Sequence, residues 1–214
     1  MTFPWSTMDE QRAAVADLLE SLTPEEWARP SLCTAWTVRD VAAHLTMQQL
    51  GVRDMLVRAP IVMRAKGDMN RAIHDMTVAQ VHANTDAELV AGIRASIGSR
   101  RHTVGVTRYE TLTDILVHTQ DIAIPLGRTI ATPPQAAAVA ATRMMTMRWP
   151  RPFPIKQTLR LYCLEATDTA WRHGTGPLVQ GPMGALLLLV CGRPAALDRL
   201  SGDGRAELER VLRA

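Results

Sequence analysis

A threonine followed three residues later by an acidic residue recurs through the first two-thirds of the chain, and this spacing narrows the fold to a helical one. In such a capping box the threonine accepts a hydrogen bond from a free N–H of the first helical turn, while the acid reaches back to the cap. Thr7 and Glu10 have this spacing, and Val15, Leu18, Leu19 and Leu22 follow at helical intervals. Thr23-Pro24-Glu25-Glu26 adds a proline at the first helical position, and Trp27 and Pro30 keep that helix short. Ser31 to Ala35 reads as a loop. Thr37-Val38-Arg39-Asp40 then opens a third helix with an apolar stripe of Val38, Val41, Ala42, Leu45 and Leu50. Residues 60–83 are rich in Met and Ala and read as helix. Thr85-Asp86-Ala87-Glu88 caps another helix through about Ile97. Leu112, Ile115, Leu116, Thr119 and Ile122 define the next, which stops near Pro125 and Gly127.

Pro133-Pro134 starts a further helix that ends before Pro150, and the run Trp149-Pro150-Arg151-Pro152-Phe153-Pro154 is stiff and extended. It is the expected boundary between a helical bundle, residues 1–149, and a small α+β domain, residues 150–214. After it, Thr158 to Cys163 alternates like a strand, and Thr169 to His173 reads as its partner. Met183 to Cys191 is an apolar helix ended by Gly192, and Ala206 to Leu212 is a terminal helix. The fold class expected is mainly α, a helical bundle followed by a small α+β domain.

Composition removes several functions. At 214 residues and 47% hydrophobic, the chain is long and apolar enough for a real core. Its net charge of +3 comes from scattered arginines, with lysine only at 66 and 156, and aromatics make up 4%. No basic run with interleaved aromatics is present, so a nucleic-acid partner is not expected. Cys33, Cys163 and Cys191 have unrelated spacings and no CxxC pair, which fits reduced thiols in a cytoplasmic protein. Met1 to Met8 has no basic or apolar signal-like stretch, so a secretory signal is not expected, and the longest apolar run, Met183 to Cys191, is too short for a membrane span.

The chemistry-bearing pattern is Asp114 and His118, four residues apart on one helix. That spacing sets both side chains on one face, about 5–6 Å apart at Cβ. A carboxylate and an imidazole so placed can chelate one ion, and His44, beside the apolar stripe of another helix, can complete the set. Three ligands with an open position describe a catalytic zinc-type site. An ordinary reading stands beside it: Asp114 and His118 as a surface ion pair, and His44 as a core histidine oriented by Asp40. Asp121 is a second residue placed to orient a histidine. His74, His82, His102 and His173 show no partner spacing.

The segment Trp36-Thr37-Val38-Arg39-Asp40-Val41-Ala42-Ala43-His44 resembles the W-T-x-x-x-x-x-A-H helix of the mycothiol-dependent maleylpyruvate isomerase family. That family is part of the DinB-like, YfiT-like superfamily of four-helix-bundle metalloproteins. Asp114 through Ile122 is similar to its second metal helix, E-x-x-x-H-x-x-D. Gly174-Thr175-Gly176-Pro177, Gly181-Pro182-Met183 and Gly192-Arg193 are similar to the family's C-terminal domain. The resemblance implies a DinB-like bundle and a divalent metal, zinc or alternatively nickel, on His44, Asp114 and His118. It implies mycothiol as co-substrate and a small electrophile as substrate. It also implies a catalytic role for Arg193 toward an anionic group. Asp114 departs from the family's glutamate and is one methylene shorter. The activity implied is a metal-dependent thiol transferase or isomerase. A non-catalytic metal- or ligand-binding protein on the same fold is the alternative. Small molecules are the expected partners, and a homodimer is compatible with the sequence.

Overall fold

The computed structural model of the protein describes residues 3–147 and 155–213. The described residues are mainly helical and fall into two compact units, residues 1–130 and 131–214.

The first unit contains α1 (Trp5–Glu20), α2 (Pro24–Trp27), α3 (Val38–Thr46), α4 (Val52–Arg64), α5 (Met69–Ala83), α6 (Asp86–Ala95) and α7 (Arg108–Ala123). Helix α1 packs on α6 and α7, while α3 packs on α5, α6 and α7. The core between them holds Met8, Val15 and Leu19 of α1, Val41 and Leu45 of α3, Leu89 and Ile93 of α6, and Leu112, Ile115 and Leu116 of α7, all buried. Each such side chain contributes about 1.5–3 kcal/mol by leaving water. Helix α7 is buried from Thr111 to Ala123 except at Asp114, and its polar residues Thr113, His118, Thr119, Gln120 and Asp121 are buried with it.

The capping boxes at Thr23, Thr37 and Thr85 are formed as expected. Thr7 is different: α1 begins at Trp5 with Pro4 at the cap, so Thr7 lies inside the first turn. A further box, Thr107 with Glu110, opens α7. Helix α3 ends at Thr46, ahead of Leu50, because the chain turns there. Thr103 holds that turn: its hydroxyl donates to the Met47 carbonyl at 2.6 Å and accepts from the Leu50 N–H at 3.2 Å. The weakly periodic stretch 60–83 is helical but broken, with Lys66 at φ 50° and Gly67 at φ 86° between α4 and α5.

The second unit contains α8 (Pro134–Thr146), α9 (Ile155–Leu159), α10 (Met183–Val190) and α11 (Arg205–Arg213), with a sheet of β1 (Cys163–Ala166), β2 (Arg172–His173) and β3 (Leu178–Gly181). The strand order is β2-β1-β3, with β2 antiparallel and β3 parallel to β1. Helix α10 is apolar and buried along its whole length, and it packs on α8, on the 3-10 turn Pro194–Arg199 and on the sheet. Its packing against α8 groups α8 with the second unit, so the units divide after Ile130, ahead of the boundary expected at 149/150. The proline-rich segment taken as that boundary lies outside the described residues from 148 to 154.

The strand expected over Thr158 to Cys163 begins only at Cys163, and α9 occupies the residues before it. Leu159 and Cys163 are buried, but Leu161 between them is 69% exposed. The apolar alternation is therefore a helix end followed by a turn. Strand β3 was not anticipated. Its approach to the chain at Ser201 requires Gly202, which has φ 108° and leaves no room for a Cβ beside the Leu178 carbonyl.

Candidate metal centre

His44, Asp114 and His118 converge in the first unit, and one potential ligand atom from each lies within 4.8 Å of the others. His44 comes from α3, whose start is set by the Thr37–Asp40 box. Asp114 and His118 come from successive turns of α7. Asp114 Oδ1 stands 3.3 Å from His44 Nε2 and 3.2 Å from His118 Nε2. Ligands about 2.0–2.1 Å from a tetrahedral ion are separated by about 3.3 Å, so these two spacings suit a zinc-type ion.

Behind His118 stands Asp121, fully buried, with Oδ2 2.8 Å from His118 Nδ1. A carboxylate there accepts a hydrogen bond from Nδ1–H and leaves Nε2 facing the cluster. In the neutral tautomer that arrangement points a nitrogen lone pair at the Asp114 carboxylate, which is repulsive at 3.2 Å. A positive charge must sit between them, either a proton or a metal ion. In the protein without metal, burial disfavours the His118 imidazolium. The Asp114 charge and the hydrogen bonds to Asp114 and Asp121 outweigh burial and push the His118 pKa up to about 9. Burial also pushes Asp114 up, but His44 and His118 together hold it well below the usual carboxylate range. By charge and by its two spacings to Asp114, this donor set is one that a divalent cation would suit.

The residues singled out as orienting groups separate clearly. Asp121 orients His118. Asp40 does not orient His44, because its Oδ2 accepts from the Thr37 N–H at 2.8 Å and from the Thr37 hydroxyl at 2.6 Å. His44 Nδ1 is buried without a hydrogen-bond partner among the described residues. Trp36, known at the sequence level only as part of a motif, flanks both imidazoles. Its ring centroid lies 5.2 Å from that of His44 and 6.2 Å from that of His118, nearly parallel to the latter. The loop that carries it is held by Ser31, whose hydroxyl donates to the Trp36 carbonyl at 2.9 Å, and by the Leu32 N–H, which donates to the Asp121 carbonyl at 3.1 Å. Gln48 was missed altogether. Its side-chain amide donates to Asp114 Oδ2 at 2.9 Å. The signal was present, since Gln48 follows His44 at the same spacing of four that links Asp114 to His118.

Arg193 belongs to the second unit, directly after α10. Gly192, at φ 79°, ends α10 in a Schellman turn: the Arg193 N–H donates to the Leu188 carbonyl and the Gly192 N–H to the Leu189 carbonyl, each at 2.9 Å. The Arg193 side chain is buried, and its Nη1 donates to the Cys191 carbonyl at 2.6 Å.

Residues 8–108 match the family described as the mycothiol maleylpyruvate isomerase N-terminal domain. The match includes His44 and ends before Asp114 and His118. Two solved structures share the fold over nearly the full length of both chains. A mycothiol-dependent maleylpyruvate isomerase variant with one histidine replaced by alanine is 12% identical, with a TM-score of 0.60, over 95% of this chain and 96% of its own. A second structure of mycothiol-dependent maleylpyruvate isomerase is 14% identical, with a TM-score of 0.57 and the same coverage. No curated protein matches the sequence significantly. Residues 8–108 thus match the mycothiol maleylpyruvate isomerase N-terminal domain family, and the chain that contains them shares the fold of the two maleylpyruvate isomerase structures.

Proposed function

We propose that this protein is a metal-dependent enzyme that adds or transfers the thiol of mycothiol to a small, anionic electrophile, or isomerises such a substrate through a thiol adduct. The observation that carries this reading is the convergence of His44, Asp114 and His118 on one point, with Asp121 fixing the tautomer of His118. The family and the fold neighbours, which are mycothiol-dependent isomerases by name, supply the thiol and the reaction class. A zinc-type ion, or nickel in its place, bound by these three side chains would lower the pKa of a coordinated thiol and hold it as the nucleophilic thiolate.

The chain's own residues do the remaining work. His118 is held in one orientation by Asp121, and Asp114 faces both imidazoles through one oxygen. Trp36 flanks both imidazoles with its apolar ring. Arg193 is the candidate to hold a substrate carboxylate, because its planar guanidinium can grip one with two hydrogen bonds. Asp114 in place of glutamate shortens the ligand by one methylene, and the 3.2–3.3 Å spacings support its ability to serve.

The first test is elemental analysis of the purified protein beside Asp114→Ala. About one divalent ion per chain, absent from the variant, is the outcome expected from a three-ligand site. Thiol-dependent consumption of electrophiles such as maleylpyruvate, with mycothiol supplied, then tests the reaction. An ion without any thiol-dependent turnover would favour a non-catalytic binding role. No ion after reconstitution would overturn the metal reading.

A further inference from the structure

We infer that Gln48 is a positioning residue that locks Asp114 into binding its ion through Oδ1 alone. This inference rests on the metal reading of the His44, Asp114 and His118 site.

The two oxygens of Asp114 face different partners. Oδ1 is turned toward His44 Nε2 and His118 Nε2, at 3.3 and 3.2 Å. Oδ2 accepts a hydrogen bond from Gln48 Nε2 at 2.9 Å. An ionised carboxylate only accepts hydrogen bonds, so Gln48 must present its NH2 group rather than its carbonyl oxygen. Gln48 is buried at 7% exposure, and the turn that carries it is fastened on both sides. Thr103 bonds Met47 before it and Leu50 after it, and the Val104 N–H donates to the Leu50 carbonyl at 3.1 Å. The donor is thereby fixed before any ion arrives.

The consequence is chemical. A free aspartate can swing about its two side-chain bonds and chelate an ion with both oxygens. With Oδ2 engaged by Gln48, Asp114 contributes one ligand, and the count from protein stays at three. A three-ligand set keeps a position open for a thiol or water, whereas a chelating carboxylate would fill it. The hydrogen bond spans 66 residues of sequence, joining the turn after α3 to α7, so it also fixes His44 and Asp114 relative to each other.

Gln48→Met keeps the length of the side chain and removes the donor. Its zinc affinity, measured by competition with a chromophoric chelator, is expected to fall about 10-fold or more relative to the unaltered protein, in the range seen for residues that orient metal ligands. Cobalt(II) substituted for zinc supplies a second readout. Its visible absorption is expected to shift toward a higher coordination number as the freed Oδ2 joins the ion. A purely structural loss would leave that spectrum unchanged. Circular dichroism checks folding, and Gln48→Ala, which also removes the donor without adding bulk, carries the same comparison if the methionine variant does not fold. Unchanged zinc affinity and an unchanged cobalt spectrum in a folded variant would overturn the role of Gln48 while leaving the metal site intact. Absence of any Asp114-dependent ion in the unaltered protein would instead overturn the metal reading and this inference with it.

Discussion

Asp121 and Asp40 show how one residue type takes opposite duties according to what lies within reach. Both are acids placed three or four residues from a metal-site histidine, Asp121 after His118 and Asp40 before His44. Asp40 spends its Oδ2 on Thr37, at the start of α3. Asp121 has no exposure and puts its Oδ2 on His118 Nδ1. Asp121→Asn keeps the shape and removes the charge. Its zinc affinity should drop about 10-fold, as for other carboxylates behind metal-bound histidines. Chelator competition measures this, and an affinity equal to that of the unaltered protein would remove Asp121 from the site.

Elements are held in place by their ends as much as by their apolar faces. Helix α7 presents Asp114 and His118, and its first turn depends on Thr107 and Glu110, each bonded to the other's end of the box. Thr107→Ala should cost about 1 kcal/mol of unfolding free energy in urea titration, the usual value of a lost cap. A change below a few tenths of a kcal/mol would mean that packing alone sets the register of α7. Helix α1 is tied to the segment after α6 by Asp9. Its Oδ2 accepts from Arg100 at 2.8 Å and its Oδ1 from the Gly98 N–H at 2.9 Å. Beside it Arg12 is fully buried, with Nη1 on the Ser96 carbonyl at 2.8 Å. Burial raises the Asp9 pKa, but the hydrogen bonds from Arg100 and Gly98 and the charges of Arg100 and Arg12 bring it below the usual 3.8. A depressed carboxylate stabilises the fold above its unfolded pKa, and that stabilisation is lost as pH falls through the folded value. Asp9→Asn should therefore lower stability at pH 7 by about 1–2 kcal/mol, the cost of stripping a buried cation of a partner. The gap between variant and unaltered protein should close as the pH is lowered below the folded pKa of Asp9. Equal acid sensitivity in the two proteins would show that Asp9 carries no linked stability.

For the whole molecule, ion binding at the proposed site would be thermodynamically linked to folding. An ion that binds only the folded arrangement of His44, Asp114 and His118 stabilises it by about 2.7 kcal/mol at a free concentration 100 times its Kd. Thermal unfolding should show a rise in Tm with zinc, reversed by chelator and absent in Asp114→Ala. A rise that persists in that variant would place the binding elsewhere. Among the described residues no helix is long and apolar enough to cross a membrane.

Much of the helical architecture was legible from local rules. The boxes at Thr23, Thr37 and Thr85, the buried helix from Met183 and the facing of Asp114 and His118 all depend on residues within one turn of each other, so neighbouring residues determine them. Three features were not local. Strand β3 exists because β1 lies beside it, and nothing in Leu178–Gly181 announces a parallel partner. The alternation before Cys163 meant a helix end because the buried surface around Leu159 and Cys163, not their spacing, decided which side faced solvent. Gln48 meets Asp114 only after α3 has packed on α7. The sequence by itself thus determined most of the helices and which of their residues share a face. The tertiary structure decided which carboxylate caps a helix, which faces the two imidazoles and which supports His118. A carboxylate's role depends on the donor nearest to it in space, and that donor comes from packing.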